Sequence, residues 1–324
     1  MAEGAILVGD AGGTNVRFAL ARESGGRISL SDMWKRPGAD YRTFDDAVGA
    51  YLSETKPKLL GASFGLAGAV QHNRVELLHR GWTVDGDALQ ARLGVSSMVM
   101  VNDFFAMARS APDIPSADIR ELSPGKPDPD GSLAVGGPGT GFGVAILRRF
   151  SGGWIVVGGE GGHQAFAPQT ETEWKLAERL RAKLGYVSNE IVASGSGFDD
   201  TLEAMFAVMG AAPRKLSQAE VIEQAKAGDA VCLEFCRLRA RTIMTAMGNM
   251  ALASGASGGV YIAGGVSVHI EPWLREKAAI DRFRQRGPRT GLVASIPLKL
   301  IVSEEAPLIG SARLWLDEQK RGWL

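Results

Sequence analysis

Three stretches of the chain place residue types that could do chemistry, two on phosphate and one on a proton. Residues 8–17 read Val-Gly-Asp-Ala-Gly-Gly-Thr-Asn-Val-Arg, and residues 132–147 read Ser-Leu-Ala-Val-Gly-Gly-Pro-Gly-Thr-Gly-Phe-Gly-Val-Ala-Ile-Leu. Each is an apolar run, a glycine-rich turn carrying a threonine, and a second apolar run, which is the pattern of a β-hairpin. Gly12 and Gly13 remove side chains from the first tip, so backbone N–H groups can approach an anion closely. Thr14 adds a hydroxyl donor, and Asp10 adds a carboxylate able to hold a hydrated metal. Either stretch alone could be an ordinary tight hairpin. Two of them, far apart in the chain, point to two half-sites on one polyphosphate.

The third stretch is Asn102-Asp103, which ends the apolar run 97–101. Ligands of open α/β sheets bind beyond the carboxyl ends of the strands, where an aspartate can accept a proton from a hydroxyl. The competing role is that Asp103 only N-caps the helix that follows. Glu160-Gly-Gly-His163 puts a carboxylate and an imidazole on a glycine-flexible loop, where both could converge on neighbouring hydroxyls. One His and one Glu are thin for a zinc site. Glu190, near Ser194-Gly-Ser-Gly197, reads by itself as a solvated helix residue. His72, His79 and His269 are isolated, which suits surface or core roles. No Gly-x-x-x-x-Gly-Lys-Ser/Thr is present, so a P-loop is excluded. Gly139-Thr-Gly-Phe-Gly143 lacks the dinucleotide spacing and precedes a strand, which disfavours a Rossmann site. Gly195-Ser-Gly197 lacks the register of a hydrolase elbow.

The elements that must hold these residues follow from periodicity and punctuation. Strands are expected at 5–9, 16–21 and 27–34 as an antiparallel meander, then at 59–64, 74–78 and 97–101. Thr43-Phe-Asp-Asp46 and Thr170-Glu-Thr-Glu173 read as capping boxes opening helices that end near 54 and 184. Another helix is expected from about 85 to Gly94. The Pro-, Asp-, Ser- and Gly-rich stretch 111–131 reads as a crossover into a second domain. Beyond it a strand at 153–157, helices at 197–209, 217–227 and 229–254, strands at 258–263 and 297–302, and a last helix near 307–319 are expected. This alternation is an α/β pattern with mixed sheet order.

Length and composition set the limits. A chain of 324 residues suggests two domains, and 45% apolar residues suffice for a substantial core. Zero formal net charge gives no sign of a nucleic-acid or membrane surface. Cys232 and Cys236 share a helix face and read as buried thiols, not as a disulfide or zinc framework. The N-terminal residues lack a charged and then apolar leader, and no apolar run reaches membrane-spanning length, so a cytoplasmic protein is expected.

Taken in order, the motifs resemble those of bacterial ATP-dependent glucokinases, in the hexokinase–actin–sugar kinase superfamily. The resemblance spans nearly the whole chain. It is carried by 9–17, Val-Asn-Asp-Phe at 101–104, Gly-Pro-Gly-Thr-Gly-Phe-Gly at 137–143, Gly-Glu-Gly-Gly-His at 159–163, Ser-Asn-Glu-Ile-Val-Ala-Ser-Gly at 188–195 and Gly-Gly-Val-Tyr-Ile-Ala-Gly-Gly-Val at 258–266. It implies a two-domain actin-like ATPase (ribonuclease H-like) α/β fold with a cleft between domains. The small α/β domain would be 1–110 completed by a C-terminal helix at about 304–324, and the larger α+β domain 111–303. It implies ATP and Mg²⁺, with Asp10, Gly12, Gly13, Thr14 and Asn15 on the nucleotide phosphates and Asp10 on the metal through water. Gly139, Thr140 and Gly141 would reach the phosphates from the second hairpin, and Gly264 and Gly265 would line the adenosine pocket. Asn102, Asp103, Glu160, His163 and Glu190 would bind glucose, with Asp103 as the catalytic base. A homodimer is implied, with no nucleic-acid or membrane partner. The Cys-rich zinc motif of the repressor/ORF/kinase group is missing. One segment departs from the family pattern. Gly65-Leu-Ala-Gly68 lacks the usual Gly-Pro, and His79 stands where an Asn precedes the Trp by three. Another hexose or an amino sugar is therefore the alternative substrate, and a non-catalytic sugar or nucleotide sensor is the alternative of a different class.

Overall fold

A computed structural model describes residues 4–77, 80–150 and 153–321. The chain folds as two compact units. The first comprises 1–118, 150–157 and 303–324, and the second 119–149 and 158–302.

The first unit is built on a sheet of β1 (Ala5–Ala11), β2 (Asn15–Ser24), β3 (Arg27–Pro37), β4 (Leu59–Leu66) and β7 (Met98–Asn102), with the small hairpin β5 (Arg74–Leu77) and β6 (Trp82–Asp85) beside it. The sheet order is β3-β2-β1-β4-β7. β1 pairs antiparallel with β2 and parallel with β4, and β4 runs parallel to β7. Every residue of β1 is buried, because both faces of the sheet are covered, as parallel pairing requires. Leu7, Phe18 and Phe64 face one side, where Phe18 packs against Trp34, Phe44, Tyr51 and Phe64 with ring centroids 5.5 to 6.3 Å apart. Ile6, Val8 and Ala19 face the other side, against Leu308, Ala312 and Trp315 of the C-terminal helix, Ala306–Arg321.

Local signals start and stop the helices of this unit. The Thr43 hydroxyl accepts the Asp46 N–H to open α1 (Phe44–Thr55). Asp85 caps α2 (Gly86–Leu93), which stops at Gly94 in the left-handed region. Asn102 ends β7, and its side-chain oxygen caps α3 (Asp103–Ser110) by accepting the Phe104 N–H at 2.9 Å. Asn102 thus holds the N-cap position and Asp103 is the first residue inside the helix, its Oδ1 sharing the same Phe104 N–H at 2.8 Å, which corrects the competing role considered for Asp103. The Asn102 amide also donates to the Gly68 carbonyl at 3.2 Å.

In the second unit β8 (Ile119–Ser123), β9 (Leu133–Pro138), β10 (Phe142–Phe150), β12 (Gly259–Ile262) and β13 (Leu298–Ile301) run in the order β10-β9-β12-β13-β8, and β11 (Gly153–Gly159) follows β10 in the chain. Part of the 111–131 crossover is therefore the edge strand β8, which gains its partner from β13, far along the chain. The helices are α4 (Glu171–Leu184), α5 (Asn189–Ala193), α6 (Phe198–Val208), α7 (Gln218–Lys226) and α8 (Ala230–Ser254), followed by four short ones between 265 and 294. α8 is buried over most of its length and is the central helix of this core. Cys232 and Cys236 lie on it as free buried thiols. Among the described residues no helix is long and apolar enough to cross a membrane.

Candidate functional site

In the first unit the site residues collect at one edge of the sheet. β1, β4 and β7 are parallel, with Ala11 opposite Leu66 and Leu66 opposite Asn102. Their carboxyl ends therefore share one edge, and β1 and β7 stand two strand spacings, roughly 10 Å, apart there. The first hairpin turns at that edge: Gly12 N–H donates to the Asn15 carbonyl at 3.2 Å, and Gly38 N–H donates to the Thr14 carbonyl at 3.0 Å. Thr14 itself is exposed.

Asp10 is buried on β1, opposite Arg17 in the hairpin register. The Arg17 guanidinium donates to Asp10 Oδ2 at 2.8 Å and also faces Glu304, which Lys35 holds at 2.6 Å. Burial raises the Asp10 pKa above the ordinary carboxylate value, and Arg17 opposes this. Asp103 is the first residue of α3, and its Oδ1 accepts the Phe104 N–H at 2.8 Å. Burial, and secondarily the negative charge of Asp10, push the Asp103 pKa up to about 7. A carboxylate poised near neutrality at the mouth of a parallel sheet is suited to take a hydroxyl proton. The Gly65–Gly68 segment, which ends β4 and leaves it, is tied into the same edge, because Ala67 N–H donates to the Ala11 carbonyl and Gly68 receives Asn102. His79 lies outside the described residues.

In the second unit two groups of predicted residues come together. The second hairpin closes with Gly139 N–H donating to the Gly141 carbonyl at 2.7 Å. The loop after α5 zips onto its tip: Gly195 N–H donates to Gly139 and Ser196 N–H to Thr140. Gly264, at φ +89°, turns β12 into a short helix beside this hairpin, and a side chain there would overlap the Pro138 carbonyl. Gly139, Thr140, Gly141, Gly264 and Gly265 are thus neighbours, as β9 and β12 lie side by side.

His163 ends a single 3-10 turn after Glu160. Its Nε2 lies 3.9 Å from Glu160 Oε2 and 3.8 Å from Glu190 Oε1. Glu160 is exposed, whereas Glu190 is mostly buried and its Oε2 accepts the Phe142 N–H at 2.7 Å. Glu190 is therefore no solvated helix residue. Its position on α5, fixed by the Ser188 cap, aims it at the second hairpin. The contact is 48 residues away in sequence and leaves no local signature. Arg17, Arg80 and the Gly38 backbone are further neighbours of the first hairpin that sequence reasoning did not assign.

Among the described residues no three His, Cys, Asp or Glu side chains gather closely enough to hold a metal by themselves. A buried carboxylate with one oxygen held by Arg17 suits a cation brought in with phosphate ligands, since Mg²⁺ keeps several waters and uses few protein carboxylates.

Comparison with known proteins bears on these geometries. The family model described as Glucokinase matches residues 7–318. A glucokinase of Nitrobacter hamburgensis is 36% identical over 96% of this chain and 97% of its own. The crystal structure of a glucokinase from an Antarctic psychrotroph superposes with a TM-score of 0.88 at 32% identity, covering 98% of this chain and 100% of its own. The structure of Balamuthia mandrillaris glucokinase in complex with glucose shares the fold, with a TM-score of 0.77 at 19% identity over 95% of this chain and 92% of its own.

Proposed function

The chain belongs to the glucokinase family, and from that premise we propose that it transfers the γ-phosphoryl group of MgATP to the 6-hydroxyl of glucose, giving glucose 6-phosphate and ADP. The observation that carries the reading is Asp103, a carboxylate with its pKa pushed up to about 7 at the carboxyl edge of a parallel sheet. In this reading Asp103 accepts the hydroxyl proton as the sugar oxygen attacks the phosphorus and the bond to the ADP oxygen breaks. Asn102 and, from the second unit, Glu160, His163 and Glu190 take the other hydroxyls. The backbone of Gly12, Gly13 and Thr14, with Asn15, holds phosphate from one side, and Gly139, Thr140 and Gly141 from the other. Gly264 and Gly265 leave room for adenosine. Asp10 would hold Mg²⁺ through water, and the metal would supply neutralisation of the phosphate charge. The transfer then rests on positioning and electrostatics. A cytoplasmic place, a role at the first step of glycolysis and a homodimeric state come with the same reading.

The Gly65–Gly68 segment, which receives Asn102, favours one second reading: the same chemistry on another hexose or an amino sugar. The test is MgATP-dependent ADP release with glucose, mannose, fructose, galactose and N-acetylglucosamine, and without sugar. Turnover confined to glucose supports the proposal. Preference for another sugar moves the specificity to the second reading, and no turnover on any sugar refutes phosphoryl transfer to hexoses.

A further inference from the structure

Arg80 has no part in the assignments above, yet it sits under the tip of the first hairpin. Its Nε donates to the Gly12 carbonyl at 3.2 Å, across 68 residues of sequence. Its guanidinium lies over the Trp82 ring, 5.0 Å from the centroid. Nη2 is buried with no hydrogen-bond partner among the described residues. Gly38 flanks it so closely that a β-carbon there would overlap the guanidinium, and the Gly38 N–H meanwhile holds the Thr14 carbonyl. Burial holds the Arg80 pKa below the ordinary guanidinium value, and among the described residues no carboxylate offsets it. A desolvated arginine held without an anionic partner calls for a reason other than stability.

The peptide that Arg80 grips joins Gly12 to Gly13. In a trans peptide the C=O and N–H point in opposite directions, and the described residues have no cis bonds. Fixing the Gly12 carbonyl towards Arg80 therefore aims the Gly13 N–H away from it. A peptide between two glycines meets little steric resistance to rotation about its flanking torsions, so without an external grip this N–H would lose its direction. We infer that Arg80 is the positioning residue of the first phosphate hairpin, fixing the Gly12–Gly13 peptide so that the Gly13 N–H faces the nucleotide phosphates, with Trp82 and the bare Gly38 forming its seat. The inference rests on the proposed use of this hairpin for MgATP and adds to it a residue that sets nucleotide affinity and not sugar affinity.

The experiment measures both Michaelis constants in Arg80→Ala, with folding checked by circular dichroism. Loss of one charge-assisted hydrogen bond predicts a rise in KM for MgATP of roughly tenfold or more, with KM for glucose within about twofold of wild type. Millimolar guanidinium chloride, compared with sodium chloride at equal ionic strength, should lower the MgATP KM of Arg80→Ala and leave wild type unchanged. Gly38→Ala, whose added methyl displaces the guanidinium, should raise the same KM and add nothing in the Arg80→Ala background. This variant carries the test if Arg80→Ala does not fold. An unchanged MgATP KM overturns the inference, as does an equal rise for both substrates with no response to guanidinium, or additivity of the two substitutions. Absence of MgATP turnover in the wild-type chain refutes the phosphoryl-transfer reading instead, so the two failures are told apart.

Discussion

Replacing Asp103 with Asn should stop catalysis and stabilise the fold, and the two effects should part company with pH. Asp103 has its pKa raised from an ordinary 3.8 to about 7, first by burial and then by the charge of Asp10. At 1.36 kcal/mol for each tenfold change in proton affinity, ionising this buried carboxyl costs the folded state about 4 kcal/mol relative to the unfolded chain. The folded state binds the proton more tightly, so stability falls as pH rises. The penalty is absent below about pH 4, grows between about pH 4 and pH 7, and is constant above. Asparagine keeps the Oδ1 acceptor that receives the Phe104 N–H and never ionises. Asp103→Asn should therefore be more stable than wild type above about pH 7, by up to about 4 kcal/mol, with the gap closing towards about pH 4.

Thermal melts or urea titrations of both proteins across this range, at fixed ionic strength, measure the gap. In parallel, ADP release with glucose should fall roughly a hundredfold to ten-thousandfold in Asp103→Asn, as for loss of a general base. In wild type, kcat/KM should drop about tenfold for each pH unit below the Asp103 pKa of about 7. A variant less stable than wild type at pH 8, or a gap that does not change with pH, would refute the electrostatic reasoning. Near wild-type turnover would refute the assignment of Asp103 as base.

Three further outcomes follow from the packing. Glu190→Ala strips the Phe142 N–H of its acceptor and removes the His163 neighbour. It should raise KM for glucose and for MgATP alike, by roughly tenfold or more, and a change confined to glucose would show that the carboxylate does not organise the second hairpin. Glu173 is fully buried, meets Arg241 at 2.7 Å and also pairs with Arg282. Its pKa is lowered, with hydrogen bonds from Gln169 and the arginines outweighing burial, so its contribution is present above the ordinary value of 4.5 and fades as pH falls. Glu173→Gln should destabilise the fold by about 3 to 5 kcal/mol at neutral pH and by less in acid, which chemical denaturation can check. Gly61→Ala would drive a methyl into the Trp315 indole, whose N–H donates to Ser97 Oγ at 2.9 Å, and should lower stability by about 1 to 3 kcal/mol, read as a lower midpoint in urea with the nucleotide KM unchanged.

What was legible in the sequence is what neighbouring residues decide among themselves. Both hairpins show as glycine tips between β-rich runs, and Thr43 and Thr170 announce their helices because a cap acts within three residues. Even the Asp10–Arg17 pair is implicit once the turn is set at 12–14, since the register then sets those residues opposite each other. The choice between Asn102 and Asp103 as cap was not legible. Both are good caps, both accept the Phe104 N–H, and the further tie of Asn102 to the Gly68 carbonyl lies 34 residues away. β8 was hidden in a polar connection because its strand character comes from β13, not from its own composition.

The same division explains why candidate residues are easier to pick out than their tuning. A phosphate turn or a general base advertises itself through residue type, because glycine and aspartate are needed there whatever surrounds them. Its energetics are set by partners that only the fold supplies. Burial and Asp10 raise Asp103, Glu190 grips Phe142, and Arg80 reaches Gly12. None of these pairs shares a helix turn or a hairpin. Arginine and glutamate are also the residues whose long side chains can be solvated almost anywhere, so their type alone carries little information about position. For Arg80 the one sequence-level trace is Trp82 two residues on. A guanidinium can stack on a neighbouring indole, but Arg80 and Gly81 form the turn that leads into β6, with Gly81 at φ +63°, and only the fold reveals that the turn sets Arg80 on Trp82 and against the hairpin tip.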